Sequence, residues 1–160
     1  LGLKAGMGIA DARAMYPKLA LAEADFEADQ RLLEAVADWC DRYTPLVGLD
    51  APDGLYLDIT GCAHLFGGEA ALCRDLVKRL ALQGLRTRVA VADTAGCAWG
   101  MARNGEQGIV PHGESEAAAL RLPIASATTN TFKPAASASI ASARSVKSIG
   151  ISSKLTVKTA

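Results

Sequence analysis

The chain has 160 residues, half of them apolar and few aromatic, with 17 basic and 17 acidic residues that cancel to zero net charge. That length carries one domain with a real core, or pieces of two. No apolar run reaches the roughly 18 residues that cross a bilayer, and no charged start leads into an apolar block as in a secretory signal, so the cytoplasm is the expected location.

The stretch "LGLKAGMGIADARAMYP" predicts a Gly-rich turn and then a short helix from about Ile9 to Tyr16, ended by Pro17. Gly6 and Gly8 form a G-x-G, but without the strand-turn-helix context of a phosphate loop they read as a turn. "KLALAEAD" predicts a short strand. From Phe26 to Tyr43 the apolar positions Leu32, Leu33, Val36, Trp39, Cys40 and Tyr43 recur at helical spacing, which predicts a long amphipathic helix closed by Pro45.

"PLVGLD" and "GLYLDIT" are two strand-like runs joined by "APDG", a hairpin in which Asp-Gly favours a turn with positive φ at the glycine. A helix from about Glu69 to Gln83 follows, with Leu72, Leu76, Val77 and Leu80 inward and Gly84 just past its end. "RTRVAVAD" predicts a buried strand, Thr94 caps a short small-residue helix running to about Arg103, "GIVP" is an edge-like strand, and "GESEAAALRL" is a last short helix. This order fits an α+β fold of ferredoxin-like type, a mostly antiparallel sheet with helices on one face.

After Pro123 the character changes, because 15 of the 21 residues from Ala125 to Ser145 are Ala, Ser or Thr. Such a stretch has too few large apolar residues for a core and is expected to be a linker or a tail of low order. The charge divides at about the same place. Residues 1–116 hold 11 basic and all 17 acidic residues, a net of −6, whereas residues 117–160 hold six basic residues and no acid. The charge therefore sets a basic 117–160 apart from an acidic 1–116.

The four cysteines, Cys40, Cys62, Cys73 and Cys97, form no C-x-x-C pair, so buried free thiols are expected rather than a zinc site or disulfides. His64 and His112 show no ligand spacing.

Four stretches, in order over about 120 residues, resemble the Y-family, or UmuC-like, translesion DNA polymerases. "GLKAGMGIADARAMYP" is similar to the end of that family's fingers, and "DFEADQRLLEAVADWCDRYTP" to its long palm helix. "LYLDITG" at 55–61 is similar to its Leu-Asp-Val-Thr-Gly strand, and "GLRTRVAVADTAGCAWGMARNG" to the strand and helix beyond it. "LPIASA" and "VKSIG" resemble, more weakly, the start of a thumb and its helix-hairpin-helix.

The resemblance implies an incomplete palm at 21–116, the end of the fingers at 1–20 and a degenerate thumb or disordered tail at 117–160. Active members hold two magnesium ions on an aspartate of the first palm strand and on an Asp-Glu pair ahead of the Leu-Asp-Val-Thr strand, since clustered carboxylates suit hard cations. The pair falls here at Asp53 and Gly54, so one carboxylate remains and its neighbour is gone. Asp53, Gly54 and Asp58 are thus expected to be vestiges of a catalytic site, with Asp53 the sole metal candidate and no cofactor expected unless the polymerase site is active. The family's Lys-Pro element is absent, Arg103 being followed by "NGEQGIVP".

This pattern resembles the catalytically degenerate, ImuB-type branch of the family. It implies a DNA-repair scaffold in damage-induced mutagenesis, touching primer-template and damaged DNA and docking an error-prone replicative-type polymerase, a RecA-like accessory protein and the sliding clamp. Arg121, Lys133, Arg144, Lys147, Lys154 and Lys158 are the candidate phosphate contacts.

The alternatives are a fragment of an active error-prone polymerase, in which Asp50 or Asp58 replaces the lost glutamate, and a small α+β interaction domain with no DNA role. Asp58 is expected to accept from the backbone of Thr60 or Gly61, and Trp39 and Trp99 to pack rather than stack on bases. Opening at Leu1 in mid-pattern is expected of a piece of something longer, and the poor thumb match of a shifted reading frame.

Overall fold

The computed structural model describes residues 2–4, 6–21, 23–104, 108–122, 133–134 and 148–153, the last two stretches as strand backbone. Helix α1 is Ile9–Met15 and α2 is Phe26–Cys40. The Asp25 carboxylate accepts from the Ala28 amide at 2.9 Å and so satisfies one of the free donors at the start of α2. Strands β1 (Val47–Asp50) and β2 (Gly54–Asp58) form the expected hairpin, paired from Val47↔Leu57 to Asp50↔Gly54. A 3-10 turn at Ala63–Phe66 leads into α3 (Glu69–Leu82).

Beyond α3 the chain passes Gly84, at φ 84°, where the Leu85 amide donates back to the Leu80 carbonyl at 3.0 Å and closes the helix end. Strand β3 is Thr87–Ala92 and α4 is Ala95–Asn104, the latter capped by the Thr94 hydroxyl accepting from the Cys97 amide at 3.3 Å. Strand β4 (Gly108–Ile109), helix α5 (Ser115–Leu120), strand β5 (Lys133–Pro134) and strand β6 (Ser148–Ser153) complete the described chain. The sheet order is β4-β3-β6-β2-β1-β5, antiparallel except for the β3–β4 pair. The class is α+β, as expected.

The core forms where the apolar stripes of α2 and α3 meet one face of the sheet. Leu33, Ala37 and Cys40 of α2 and Leu72, Leu76 and Leu80 of α3 pack with Val47, Leu55, Leu57, Val89 and Val91. Alternation along the strands turns Asp50, Gly54, Tyr56, Ala90 and Ala92 to the opposite face. There α4 lies against β3 and β6, with Ala92, Cys97, Ala98 and Val110 forming a second, smaller cluster.

Helices therefore cover both faces, which corrects the expectation of helices on one face. The physical sign is β2, buried at all five positions, as only a strand covered on both sides can be. Two local expectations also change. Residues 18–25 form no strand among those described, since alternation of Leu with Ala has no neighbouring strand there to pair with. Residues 148–153, in the stretch expected to hold a short helical hairpin, are a central strand instead.

Candidate functional site

The acidic hairpin is the place where charge gathers. Asp50, at the end of β1, is only 7% exposed, and its carboxylate accepts a hydrogen bond from the Trp99 indole Nε1 on α4. One turn further along α4, Arg103 reaches back across the same face. Its Nη2 lies 3.5 Å from Asp50 Oδ2 and bonds Asp53 Oδ1, while its Nη1 lies 3.4 Å from Asp53 Oδ2. The guanidinium carbon also stands 4.8 Å from the Trp99 ring centroid, a cation–π contact. Trp99 and Arg103 share a helix face because they are four residues apart, and Arg88 fixes the helix end by donating to the Arg103 carbonyl at 2.6 Å.

This arrangement sets the local electrostatics. Two carboxylates converge and a guanidinium sits between them, so part of the negative charge is offset by a cation of the chain itself. Tyr56, on the same face, has its phenol pushed well above the ordinary range, first by burial and then by the Asp50 carboxylate, with Arg103 opposing.

Gly54 has a different role from the one expected. Its φ is not positive, so the hairpin does not need glycine for a left-handed turn. It needs glycine for space, because a Cβ there would lie 2.8 Å from Asp50 Oδ2, 2.9 Å from the Asp50 carbonyl oxygen and 3.1 Å from Asp50 Cβ.

Asp58, at the far end of β2, faces other work. Its Oδ1 accepts from the Thr60 amide at 2.9 Å, the backbone contact expected for it, and its carbonyl accepts from the buried Thr44 hydroxyl at 2.5 Å. Asp53 and Gly54 are thus brought together with Asp50, while Asp58 is tied into the turn that follows. Among the described residues no group of three His, Cys, Asp or Glu side chains is placed to hold a metal ion.

Arg121 is exposed at the end of α5 and Lys133 lies in β5, whereas Arg144, Lys147, Lys154 and Lys158 fall outside the described residues. The four cysteines are free, Cys40 and Cys97 buried as expected but Cys62 and Cys73 only half-buried. Trp99 packs in the fold rather than standing free on the surface. Sequence reasoning missed that Trp99 and Arg103 partner the acidic hairpin, although their four-residue spacing on a helix was a readable signal.

The impB/mucB/samB family matches residues 1–103. The chain belongs to that family. Its resemblance to UmuC-like Y-family proteins, read from "LYLDITG" and the flanking motifs, is thereby shown. The chain is 52% identical over 126 residues to Protein ImuB of Caulobacter vibrioides strain NA1000 / CB15N, covering 78% of this chain and 28% of that protein. The same figures hold for Protein ImuB of the strain ATCC 19089 / CIP 103742 / CB 15. A more distant relative, DNA polymerase IV 2 of Mesorhizobium japonicum, is 32% identical over 94 residues, covering 58% of this chain and 23% of that protein. The chain therefore spans less than a third of the length of the curated relatives it matches. No solved structure matches it. Among the described residues, no helix is long and apolar enough to cross a membrane.

Proposed function

We propose that this chain is part of a DNA-damage-tolerance protein of the ImuB type, which contacts DNA as a scaffold and does not itself add nucleotides. The observation that carries this reading is Arg103, whose guanidinium stands between Asp50 and Asp53. A site for two divalent cations needs several convergent carboxylates with room between them. Here the space is held by a cation of the chain, position 54 has no room even for a Cβ, and Asp58 is committed to a backbone amide. These residues do not fit a magnesium pair, so no cofactor belongs to the proposed activity.

The fold that goes with this function is an incomplete ferredoxin-like palm, built from the β1–β2 hairpin, α2, α3 and β3, with the end of the fingers before it. DNA contact falls to Arg121, Lys133, Arg144, Lys147, Lys154 and Lys158, six positive charges with no acid among residues 117–160. Contacts to phosphates position a duplex without reading its sequence. The mutasome partners, namely an error-prone polymerase, a RecA-like accessory protein and the sliding clamp, and a cytoplasmic location belong to the same proposal. The identity to two ImuB proteins supports it.

The test is fluorescence anisotropy of the full chain with a labelled primer-template across a salt series. Replacing all six basic residues with glutamine is preferable to truncation, which would also remove β6 from the sheet. The expected result is binding whose log–log salt slope approaches about −5 for six neutralised phosphates, and which disappears in the glutamine variant. Binding unchanged by the substitutions would remove the DNA contact from this tail, and no binding at low salt would leave only a protein-docking role.

A further inference from the structure

Helix α3 buries one row of side chains at one-turn spacing, Leu72, Leu76 and Leu80, in the core. The opposite row at the same spacing is Arg74, Lys78 and Leu82, all exposed, Leu82 at 80%. It extends about 12 Å along the helix. Among the described residues Arg74 and Lys78 have no carboxylate partner. The next row is closed on itself, with Arg79 Nε bonding Asp75 Oδ1 at 2.9 Å and Oδ2 at 2.8 Å.

Further cations gather where the C-terminal end of α2 meets α3. The Tyr43 hydroxyl donates to Asp75 Oδ2 at 2.8 Å, and its ring lies 5.2 Å from Phe66 and 5.7 Å from Trp39. The Arg42 guanidinium lies 4.0 Å over the Trp39 ring, with its Nε donating to the Trp39 carbonyl at 3.0 Å. Arg42 and Arg79 both favour the ionised Tyr43 phenol, and Lys78 favours the ionised Asp75 carboxylate, so three cations stand within electrostatic reach of this pair. Both arginines are anchored through Nε, and no hydrogen bond among the described residues uses their Nη nitrogens.

An ordinary solvent-facing helix balances its charges and keeps large apolar side chains off its outer face. The outer face of α3 does neither. Leu82 continues the cationic row, and Leu65, 71% exposed, precedes the Phe66 ring that packs on Tyr43. Arginine and aromatic groups beside exposed leucine are the composition of a protein interface, whereas a phosphate backbone would use the cations and leave the leucines in water. The neighbouring α2 carries four acidic residues and one basic residue between Phe26 and Cys40. It repels an acidic segment and so confines one to α3.

We propose that the outer face of α3 is a docking surface for a helical acidic segment of a partner protein, which sets two carboxylates one turn apart on Arg74 and Lys78 and an apolar side chain one turn further on Leu82. A helix fits because α3 offers side chains and no open backbone edge, so an extended segment would find no backbone partners there. Side chains on one helix face recur at about 6 Å, the spacing of the α3 row itself. This docking deepens the protein-docking half of the scaffold reading above and rests on it.

The test is an NMR titration of the isotope-labelled full chain with an alanine-rich helical peptide carrying Glu, Glu and Leu at successive one-turn spacings, beside a peptide of the same composition in scrambled order. The patterned peptide is expected to bind saturably, with shifts concentrated in the amides of residues 74–82. Binding is expected to weaken at least about fivefold in the double variant Arg74→Gln, Lys78→Gln and in Leu82→Gln. These side chains are exposed and carry no ion pair among the described residues, so their replacement leaves the fold in place, and the variant's own spectrum confirms it.

No saturable binding up to about 1 mM peptide, equal binding of the scrambled peptide, or binding unchanged in the folded variants overturns the proposal. So does a DNA duplex that shifts the amides of 74–82 more strongly than the peptide does, in a chain whose six basic residues in 117–160 are replaced by glutamine, because the face would then be a phosphate contact. The peptide titration contains no DNA and leaves residues 117–160 unaltered, so peptide docking and DNA binding by the tail hold or fail separately.

Discussion

Placing a methyl group on Gly54 is expected to destabilise the chain by about 1–2 kcal/mol. The new Cβ would stand 2.8 Å from Asp50 Oδ2 and 2.9 Å from the Asp50 carbonyl oxygen, well inside ordinary carbon–oxygen contact. Neither atom yields easily. The carboxylate is held by Trp99 and Arg103, and the carbonyl belongs to the backbone directly paired with Gly54. Overpacking of this kind costs about 1–3 kcal/mol, partly offset by the roughly 0.4–1 kcal/mol gained when alanine replaces the more flexible glycine in the unfolded chain.

Urea unfolding of Gly54→Ala against the unaltered chain is the assay, with a midpoint lowered by on the order of 0.5–1 M at an ordinary slope. Gly54→Glu, which restores the carboxylate that the polymerase pattern calls for, meets the same overlap and adds a third negative charge beside Asp50 and Asp53. It is expected to lose more stability than Gly54→Ala, with no recovery in millimolar magnesium. An unchanged or raised midpoint in Gly54→Ala, or magnesium-dependent stabilisation of Gly54→Glu, would refute the view that the packing of Asp50 excludes a side chain at position 54.

Arg103→Met keeps most of the side-chain bulk but removes the cation from Asp50 and Asp53. Because Arg103 and Asp53 are about a quarter exposed, the loss is expected near 2 kcal/mol, below the 3–5 kcal/mol of a fully buried pair; thermal unfolding with and without Asp53→Asn measures the coupling, and additive losses would mean that the pair is not coupled. Burial pushes the Cys40 thiol up to about 12 and Cys73 to about 11. The folded chain thus holds these protons more tightly than the unfolded one, so their contribution is complete below the ordinary thiol range near 8.5 and is lost as pH rises through 9 to 12. Unfolding midpoints are expected to fall across that window, and thiol labelling of the native chain at pH 8 is expected to reach half-buried Cys62 well before Cys40. Equal labelling of the two would contradict the burial of Cys40.

Much of the fold could be read locally. The stripes of α2 and α3, the hairpin, the buried β3 and the Thr94 cap of α4 each announce themselves within a dozen residues, because their periodicity and end signals are short-range. Two segments misled for the same physical reason. "KLALAEAD" has strand-like alternation but no neighbouring strand, and Leu21 remains half exposed. "SIGISS" has the alternation of a strand, but its partners lie some ninety and sixty residues earlier, so only the assembled sheet reveals its place.

The site divides in the same way. The loss of the glutamate at Gly54 is visible in the sequence, whereas the joining of Trp99 to Asp50 and of Arg103 to Asp53 spans 49 and 50 residues and depends on how α4 lies across the sheet. Gly54 itself shows the limit of turn rules. The Asp-Gly pair suggested a left-handed glycine, but the glycine is there because Asp50 comes too close.

The most direct test of the central claim is nucleotide addition by the full chain. A labelled primer-template is incubated with all four deoxynucleotides in magnesium and, separately, in manganese. No extension above the protein-free control is expected in either metal. Extension that requires the protein and is abolished by Asp53→Asn would contradict the non-catalytic reading, and would place a working metal site where Arg103 now stands.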